Sequence, residues 1–342
     1  MIRSKTTLVV GAGAASELEL PDGADLLVRI TQNFDFQRLG TDLQTPDMVA
    51  LATVFEKVAP KFDTKPGKLQ QAAQTIRMAA RISNDIEAIL EQHGHDPLVQ
   101  AVGRLAIVYF TLQAEAVSPL EAEPRDPGDM PLRGTENWLY HFARAVVNGV
   151  PRAKVESCFD NLSVINFGYD RSIEHYLPWV LQMSFGMSLG EAQALVAEKL
   201  NVLHPFGQAG RLPWQKGVGA VAEWGAEKPA KFDQLAACLH NASERMEDRT
   251  FKQTLRGEMA KGRRLAFLGY DFQPLNTAMM FEQAMGHNPD VLVALPQQGM
   301  ATPEAVAPVL KRTMGISEDS LLCLNQGHSW RMLRDFSLFL ES

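Results

Sequence analysis

A glycine-rich turn near the start of the chain contains residue types that can hold a phosphate group. The sequence GAGAAS at 11–16 directly follows an apolar segment that ends at Val10. Glycines such as Gly11 and Gly13 let the backbone approach a phosphate closely, with N–H groups pointing at its oxygens. Ser16 stands where the GxGxxG fingerprint has its third glycine. The turn therefore predicts a nucleotide phosphate site, although it fits a ligand-free strand–helix turn equally well.

Two further segments place polar residues directly after apolar runs. Asp170 follows the apolar segment 162–167, where it can either contact a ligand or cap the next helix. A second apolar segment runs from Leu265 to Gly269, and Tyr270 and Asp271 follow it directly. We interpret both places as strand ends that carry candidate site residues.

The apolar pattern predicts an α/β protein with a mainly parallel sheet and a long all-helical insertion after the first strand. Short apolar strand candidates alternate with helix-like stretches, as in parallel α/β sheets; they are 7–10, 162–167, 202–204, 265–269, 291–295 and 321–324. Between 45 and 155, apolar residues recur at three- and four-residue spacing among good helix formers, and the proline-rich segment 118–131 predicts a loop. We expect residues 1–40 and 156–342 to form a nucleotide-binding domain and residues 41–155 to form a helical subdomain.

The charge and composition of the chain argue against several classes of protein. Its formal net charge is −7, which disfavours nucleic-acid binding because such binding requires basic surfaces. Its three cysteines are far apart and form no CxxC pair, so no metal site is predicted and a reducing compartment is expected. The sequence shows neither a signal peptide nor an apolar run long enough to cross a membrane. We expect a cytoplasmic protein without a membrane partner.

Five motifs, in order along the chain, resemble those of the prokaryotic sirtuin-like domain proteins. In that family the first loop reads roughly GAGAS-x-E-x-G-L-P-x-G, which Glu17 and Pro21 match, whereas Ala15 replaces the serine. A second family motif, S-I-D-x-F-L-x-x-H, resembles the segment 85–93, and a third, F-N-Y-D-R-S-L-E-H, resembles the segment 167–175. The similar segments are 11–23, 84–93, 163–177, 202–210 and 265–276.

The resemblance implies a Rossmann-like sheet that binds NAD or ADP-ribose, and it implies a homo-oligomer. Many family members cleave the bond between nicotinamide and ribose, often in defence against phage. The positions that the resemblance carries over as ligand-contacting are Gly11, Ala12, Gly13, Ala14, Ala15, Glu17, Pro21, Gly168, Tyr169, Asp170, Phe206, Gly207, Gly269, Tyr270 and Asp271.

The chain departs from the family at both residues that carry the cleavage chemistry. The family's asparagine corresponds to Gly168, and its histidine corresponds to Phe206. Glycine has no side chain to position a ribose or a water molecule, and phenylalanine cannot accept a proton. His204 lies two residues before Phe206 and can face the same side if the strand continues. His204 and Asp170 are thus the candidate catalytic residues, or else His204 is a structural histidine with a satisfied hydrogen bond.

Three functions remain open from the sequence. The first is binding of NAD or another ADP-ribose-containing nucleotide with weak or no hydrolysis, because Gly168 and Phe206 occupy the catalytic positions. The second is an active NAD glycohydrolase that releases nicotinamide, and the third is a protein–protein assembly module with a vestigial cleft. A protein deacylase is not expected, because the zinc-binding cysteines that accompany most sirtuin deacylases are missing.

Overall fold

A computed structural model of the chain describes residues 1–121, 131–132, 134–227, 231–281, 285–296, 301–317 and 320–341. The protein is α/β: six strands form one all-parallel sheet, and helices cover both of its faces. This confirms the predicted fold class. Most of the loop predicted at 118–131 lies outside the described residues.

All six predicted strands are present, with ends that shift by up to two residues. The strands are β1 (Thr6–Val10), β2 (Leu162–Asn166), β3 (Val202–Leu203), β4 (Arg264–Leu268), β5 (Asp290–Leu295) and β6 (Leu322–Gln326). Their order across the sheet is β3-β2-β1-β4-β5-β6. The order reverses at β1, because β2 and β3 extend the sheet on one side and the chain then crosses to add β4, β5 and β6 on the other. In sheets of this kind the carboxyl ends of the strands at the reversal border the ligand crevice.

The helical insertion predicted between the first two strands is present. Helix α1 (Gly23–Asn33) precedes it, and its helices are α2 (Pro46–Val58), α3 (Pro66–Ala79), α4 (Ile86–Gln92), α5 (Pro97–Val117) and α6 (Trp138–Val147). Within the insertion, the uninterrupted apolar periodicity of 69–93 favours one helix, whereas the structure has two, α3 and α4. The chain turns at 80–85, and the Asp85 side chain then accepts the N–H of Ala88, which caps a new helix.

The remaining helices connect the later strands and cover the sheet. They are α7 (Ser172–Phe185), α8 (Leu189–Lys199), α9 (Phe232–Ala236), α10 (Ala242–Glu247), α11 (Arg249–Lys261), α12 (Pro274–Met280), α13 (Pro303–Met314), α14 (Ser329–Asp335) and α15 (Ser337–Glu341). Short 3₁₀ helices lie at Ala12–Leu18, Phe36–Arg38, Ala59–Phe62 and Arg152–Phe159. None of the helices in the described ranges is both long and apolar enough to cross a membrane.

Successive side chains of the central strands alternate between two hydrophobic layers. Val9 faces the layer that contains Leu105 of α5. Leu8 faces the opposite layer, which contains Trp138 of α6. Residues 41–155 therefore share their hydrophobic cores with both faces of the sheet, and this shared packing fixes the insertion against the strand ends.

Candidate functional site

A pocket lies at the carboxyl ends of β1 and β2, beside the point where the strand order reverses. The 3₁₀ helix that follows β1 and the first residues of α1 form one wall, and the segment 168–170 after β2 forms another. Helices α4 and α5 of the insertion each contribute one side chain. The lining residues are Ala12, Ala15, Leu20, Pro21, Asp22, Gly23, Leu26, Glu87, Thr111, Gly168, Tyr169 and Asp170.

The pocket is narrow for a nucleotide. Its unfilled space is about 350 Å³ when the part open to solvent is included. The part of this space that a water molecule can occupy is far smaller and holds about one water. A nucleotide can therefore enter the inner part only if one of the walls moves.

The glycines of the first loop serve the close packing of two loops. Gly269, with a φ of +58°, lies so close to the first loop that a Cβ there would be 2.1 Å from the nitrogen of Ala14. A Cβ on Gly11 would be 2.4 Å from the Gly269 carbonyl oxygen, and one on Gly13 would be 2.8 Å from it. These three glycines let the loops after β1 and β4 touch, and none of them lines the pocket.

Most N–H groups in the first turn of this 3₁₀ helix are bonded within the protein. Gly13 donates to the Gly269 carbonyl oxygen at 3.0 Å, and Ala14 donates to that of Gly11 at 3.1 Å. Among the residues that the structure describes, no backbone acceptor outside this helix pairs with the N–H of Ala12, which is thus available for an anion. The start of α1, which also lines the pocket, presents further helix N-terminal N–H groups. The turn therefore offers a smaller anion-binding surface than its glycine content predicts.

The charged residues that line the pocket are acidic. They are Asp22, Glu87 and Asp170. The Glu87 carboxylate accepts a hydrogen bond from the Tyr169 hydroxyl. Burial raises the pKa of Glu87 to about 7, and the negative charges of Asp85 and Asp271 act in the same direction. An ionised Glu87 makes the inner pocket electronegative, so this part of the pocket disfavours a phosphate group.

Thr111 brings an unpaired hydroxyl to the pocket. Its residue is only 3% exposed, and its Oγ1 has no hydrogen-bond partner among the described residues. A buried hydroxyl without a partner destabilises the folded state, because it has lost its hydrogen bonds to water. Such a group gains a partner when a polar ligand enters the pocket.

The segment after β2 is held by its own side chains. Asn166 Oδ1 accepts the N–H of Gly168 at 2.9 Å. Asp170 lines the pocket and precedes Arg171, the N-cap of α7; its Oδ1 accepts the N–H of Ser172 at 3.0 Å. A Cβ on Gly168 would lie 2.6 Å from Asp170 Oδ2. A larger side chain at position 168 therefore requires the Asp170 carboxylate to move.

His204 lies beyond the end of β3 and forms an ion pair with Glu174 of α7. The distance from His204 Nε2 to Glu174 Oε1 is 2.8 Å, and both side chains are buried. Burial acts to lower the pKa of His204, but the adjacent Glu174 outweighs it and the pKa is raised. Burial acts to raise the pKa of Glu174, but His204 outweighs it and the pKa is lowered. The raised pKa favours the protonated imidazole, which cannot accept a proton from water, and His204 does not line the pocket.

Phe206, Gly207 and Tyr270 lie in packed surroundings outside the pocket lining. The Phe206 ring lies 5.5 Å from that of Phe167, and Tyr270 lies 5.0 Å from the same ring. Gly207 has a φ of +81°, and a Cβ there would be 2.0 Å from the Cys238 carbonyl oxygen. These residues shape the protein beneath the strand ends by packing.

Glu17 anchors two helices. Its carboxylate accepts the N–H groups of Trp138 at the start of α6 and of Ser329 and Trp330 at the start of α14. A carboxylate at a helix N-terminus is favoured by the helix dipole. Burial raises the pKa of Glu17 to about 7, although the three N–H donors act to lower it. The Glu17 side chain is thus engaged away from the pocket.

Asp271 is connected to the insertion through Gln273. The Gln273 amide donates to Asp271 Oδ2 at 2.9 Å and to Asp85 Oδ2 at 3.1 Å. This bridge joins the loop after β4 to the N-cap of α4. Asp271 thereby places a negative charge near Glu87 without lining the pocket itself.

The structure brings together part of the residue set predicted from the sequence. Ala12, Ala15, Pro21, Gly168, Tyr169 and Asp170 line one pocket. Outside this lining are Gly11, Gly13, Ala14, Glu17, His204, Phe206, Gly207, Gly269, Tyr270 and Asp271. Thr111 was not predicted as a site residue, although a polar residue in the apolar run of α5 is a usable signal. Glu174 was not predicted either, because its pairing with His204 is a tertiary contact.

Replacing Glu87 by glutamine is expected to change how stability depends on pH. The folded state binds the Glu87 proton more tightly than the unfolded state, because the pKa is about 7 rather than 4.5. As the pH rises from about 4.5 to about 7, the wild type should lose roughly 1 to 3 kcal/mol of unfolding free energy relative to Glu87→Gln. Urea unfolding at pH 5, 6, 7 and 8 measures this difference. Glu91→Gln, on the same helix, is the control, and equal pH profiles for wild type and Glu87→Gln would refute the prediction.

Among the described residues no group of three or more His, Cys, Asp or Glu side chains is placed to hold a metal ion. Neither a scan of protein-family models nor a search of curated proteins finds a match to this chain.

Proposed function

We propose that this protein binds NAD or another ADP-ribose-containing nucleotide at the pocket beside β1, with weak or no hydrolysis. The observation that carries the proposal is the position of the pocket. It lies at the carboxyl ends of neighbouring parallel strands, next to the reversal of strand order and at the start of a helix. Open α/β sheets hold nucleotides at such a place, with phosphates at helix N-termini. The motif resemblance to the sirtuin-like proteins supports the same ligand class.

We expect weak or no hydrolysis because of where the candidate catalytic side chains lie. His204 is ion-paired with Glu174 outside the pocket lining. Gly168 provides no side chain, and Phe206 packs against Phe167. Asp170, the catalytic candidate that does line the pocket, accepts a hydrogen bond from the backbone at the start of α7. The histidine that could act as a general base therefore lies outside the pocket lining, and Asp170 is the one catalytic candidate inside it.

Ligand binding should raise the melting temperature of the protein. At about 100 times its dissociation constant, ADP-ribose is expected to add about 2.7 kcal/mol of stability, which corresponds to a few degrees in a chain of this size. Ala12→Glu places a carboxylate at the pocket wall beside the anion-binding N–H and should abolish the shift. Val28→Glu, on the exposed side of α1 and beyond its first turn, adds the same charge and should preserve the shift. A wild type that shows no shift with millimolar ADP-ribose or NAD contradicts the proposal.

Release of nicotinamide measures the second part of the proposal. Incubation with NAD should yield free nicotinamide at a rate close to that in buffer. Ordinary enzymes turn over about once per second or faster. Turnover at that rate would show an active glycohydrolase and would leave the binding proposal intact.

A further inference from the structure

A second cavity lies at the amino ends of β1 and β2, on the edge of the sheet opposite the first pocket. Its unfilled space is about 720 Å³ when the part open to solvent is included, against about 350 Å³ for the first pocket. We propose that this cavity binds a small polyol phosphate, with lysines at the phosphate group and Glu258 at the hydroxyl groups. The proposal is independent of the nucleotide site, because the two cavities lie at opposite ends of the strands.

The carboxyl ends of three helices meet at the cavity, and each end has a lysine beside it. Lys199 is the last residue of α8, and Lys261 is the last residue of α11. Lys5 reaches the end of the 3₁₀ helix Arg152–Phe159, where it donates to the Asp160 carbonyl oxygen at 2.6 Å. Cations are favoured at such helix ends. The fold thus brings lysines from three separate elements to one cavity.

Two of these lysines have charge available for an anion. The carbonyl oxygen that accepts the hydrogen bond from Lys5 is uncharged. Lys199 pairs with Glu198 at 3.3 Å, but the Glu198 side chain is 61% exposed, and an ion pair in water is weak. The lining holds three lysines against two carboxylates, those of Asp160 and Glu258. A phosphate monoester, with a charge of about −1.5 to −2 at pH 7, is therefore favoured here, whereas the charged groups that line the first pocket are acidic.

The Glu258 carboxylate provides a buried acceptor in the same cavity. Its side chain is 10% exposed, and it accepts from Lys261 Nζ and from Ser163 Oγ, each at 2.6 Å. Burial acts to raise the pKa of Glu258, but the hydrogen bonds from Lys261, Ser163 and Asn201 outweigh it and the pKa is lowered. An ionised carboxylate accepts about four hydrogen bonds. Glu258 can therefore accept a ligand hydroxyl, and a second one can replace Lys261, which is 61% exposed.

The wall formed by the sheet is polar as well. Thr7 of β1 and Ser163 of β2 are direct neighbours in the sheet, and both line the cavity. Thr7 donates to the Glu258 carbonyl oxygen at 2.9 Å. Asn161 and Asn201 add side-chain amides to the lining. Most ligand pockets are lined mainly by hydrophobic side chains, so a lining this polar favours a ligand whose body consists of hydroxyl groups.

Titration calorimetry with glycerol 3-phosphate, inorganic phosphate and glycerol tests the proposal. The wild type should bind glycerol 3-phosphate at least about threefold more tightly than inorganic phosphate, and glycerol should show no measurable binding. Lys5→Gln and Lys199→Gln should each weaken glycerol 3-phosphate by about threefold to tenfold, because each removes one charge from an exposed position. Lys57→Gln, at an exposed position of α2, removes the same charge elsewhere and should bind as the wild type does.

Two further variants separate recognition of the hydroxyl groups from recognition of the phosphate. Glu258→Gln should bring the affinities for glycerol 3-phosphate and inorganic phosphate within about twofold of each other, while inorganic phosphate binds at least as tightly as before. Asn201→Ala, at an exposed position of the lining, should narrow the same difference and serves if Glu258→Gln folds poorly.

Two results would overturn the proposal. One is a wild type that does not bind glycerol 3-phosphate. The other is equal affinity for it in the wild type, Lys5→Gln and Lys199→Gln, which would mean that the anion binds elsewhere. Neither result bears on the nucleotide site, which the melting shift with ADP-ribose tests separately.

Discussion

Replacing Arg171 by methionine should destabilise the protein by about 3 to 5 kcal/mol, because it leaves the buried Glu115 carboxylate without its partner. Both side chains are fully buried, and the guanidinium contacts both carboxylate oxygens. The same guanidinium donates to the carbonyl oxygens of Gly210, Ala222 and Glu223. It therefore holds three parts of the fold together: α5 of the insertion, the start of α7, and the segment 210–223.

A double-mutant cycle separates the pair from its surroundings. Glu115→Leu should also cost several kcal/mol, but Arg171→Met combined with Glu115→Leu should cost less than the sum of the two single changes. Arg104→Met is the matched control, because its partner Glu244 is exposed, and its loss should cost less than about 1 kcal/mol. Unfolding by guanidinium chloride is measured for the wild type and for these four variants. A loss below about 1 kcal/mol for Arg171→Met would show that the pair does not organise the fold.

Replacing Gly269 by alanine is the second change with a large expected effect. The added Cβ would meet the backbone of Gly13 and Ala14, and the backbone at Gly269 has a left-handed φ of +58°. We expect a loss of at least about 3 kcal/mol, from backbone displacement together with left-handed strain. The two loops at the reversal of strand order would separate, so the pocket should lose its shape as well.

Gly40→Ala separates the effect of left-handed strain from the effect of backbone displacement. Gly40 also has a positive φ, of +77°, but a Cβ there would meet no atom within 4 Å. Its replacement should cost only the left-handed strain, about 1 kcal/mol. Thermal unfolding of the two variants side by side makes the comparison. Similar losses at the two positions would mean that loop contact at Gly269 is unimportant.

The strands could be predicted from the sequence because parallel strands covered on both faces are short, nearly continuous apolar runs. The glycines at 11 and 13 marked the right turn, and in the structure they let this turn pack against Gly269. Glycines in a sequence indicate that the backbone approaches another group closely. They do not show whether that group is a ligand phosphate or the backbone of Gly269. The helical insertion followed from its periodicity, whereas its division at Asp85 depended on a capping contact.

The polar contacts of the site could not be predicted, because each depends on how distant segments pack. His204 was a candidate base from its place near a strand end, but its partner Glu174 lies in a different element, 30 residues earlier. Glu17 matched a family motif, yet its carboxylate contacts the starts of α6 and α14. Glu87 lines the pocket from helix α4, so its place there depends on how the insertion packs against the strand ends.

Amide hydrogen exchange with and without ADP-ribose tests the central claim most directly, since it reports both binding and its location. If ADP-ribose binds in the pocket, amide exchange should slow in the segments 12–23 and 168–170 and in the first turn of α4 around Glu87. The amino ends of the strands, on the opposite edge of the sheet, should be unaffected. Protection confined to those amino ends, or none at saturating ADP-ribose, would contradict the assignment of the pocket.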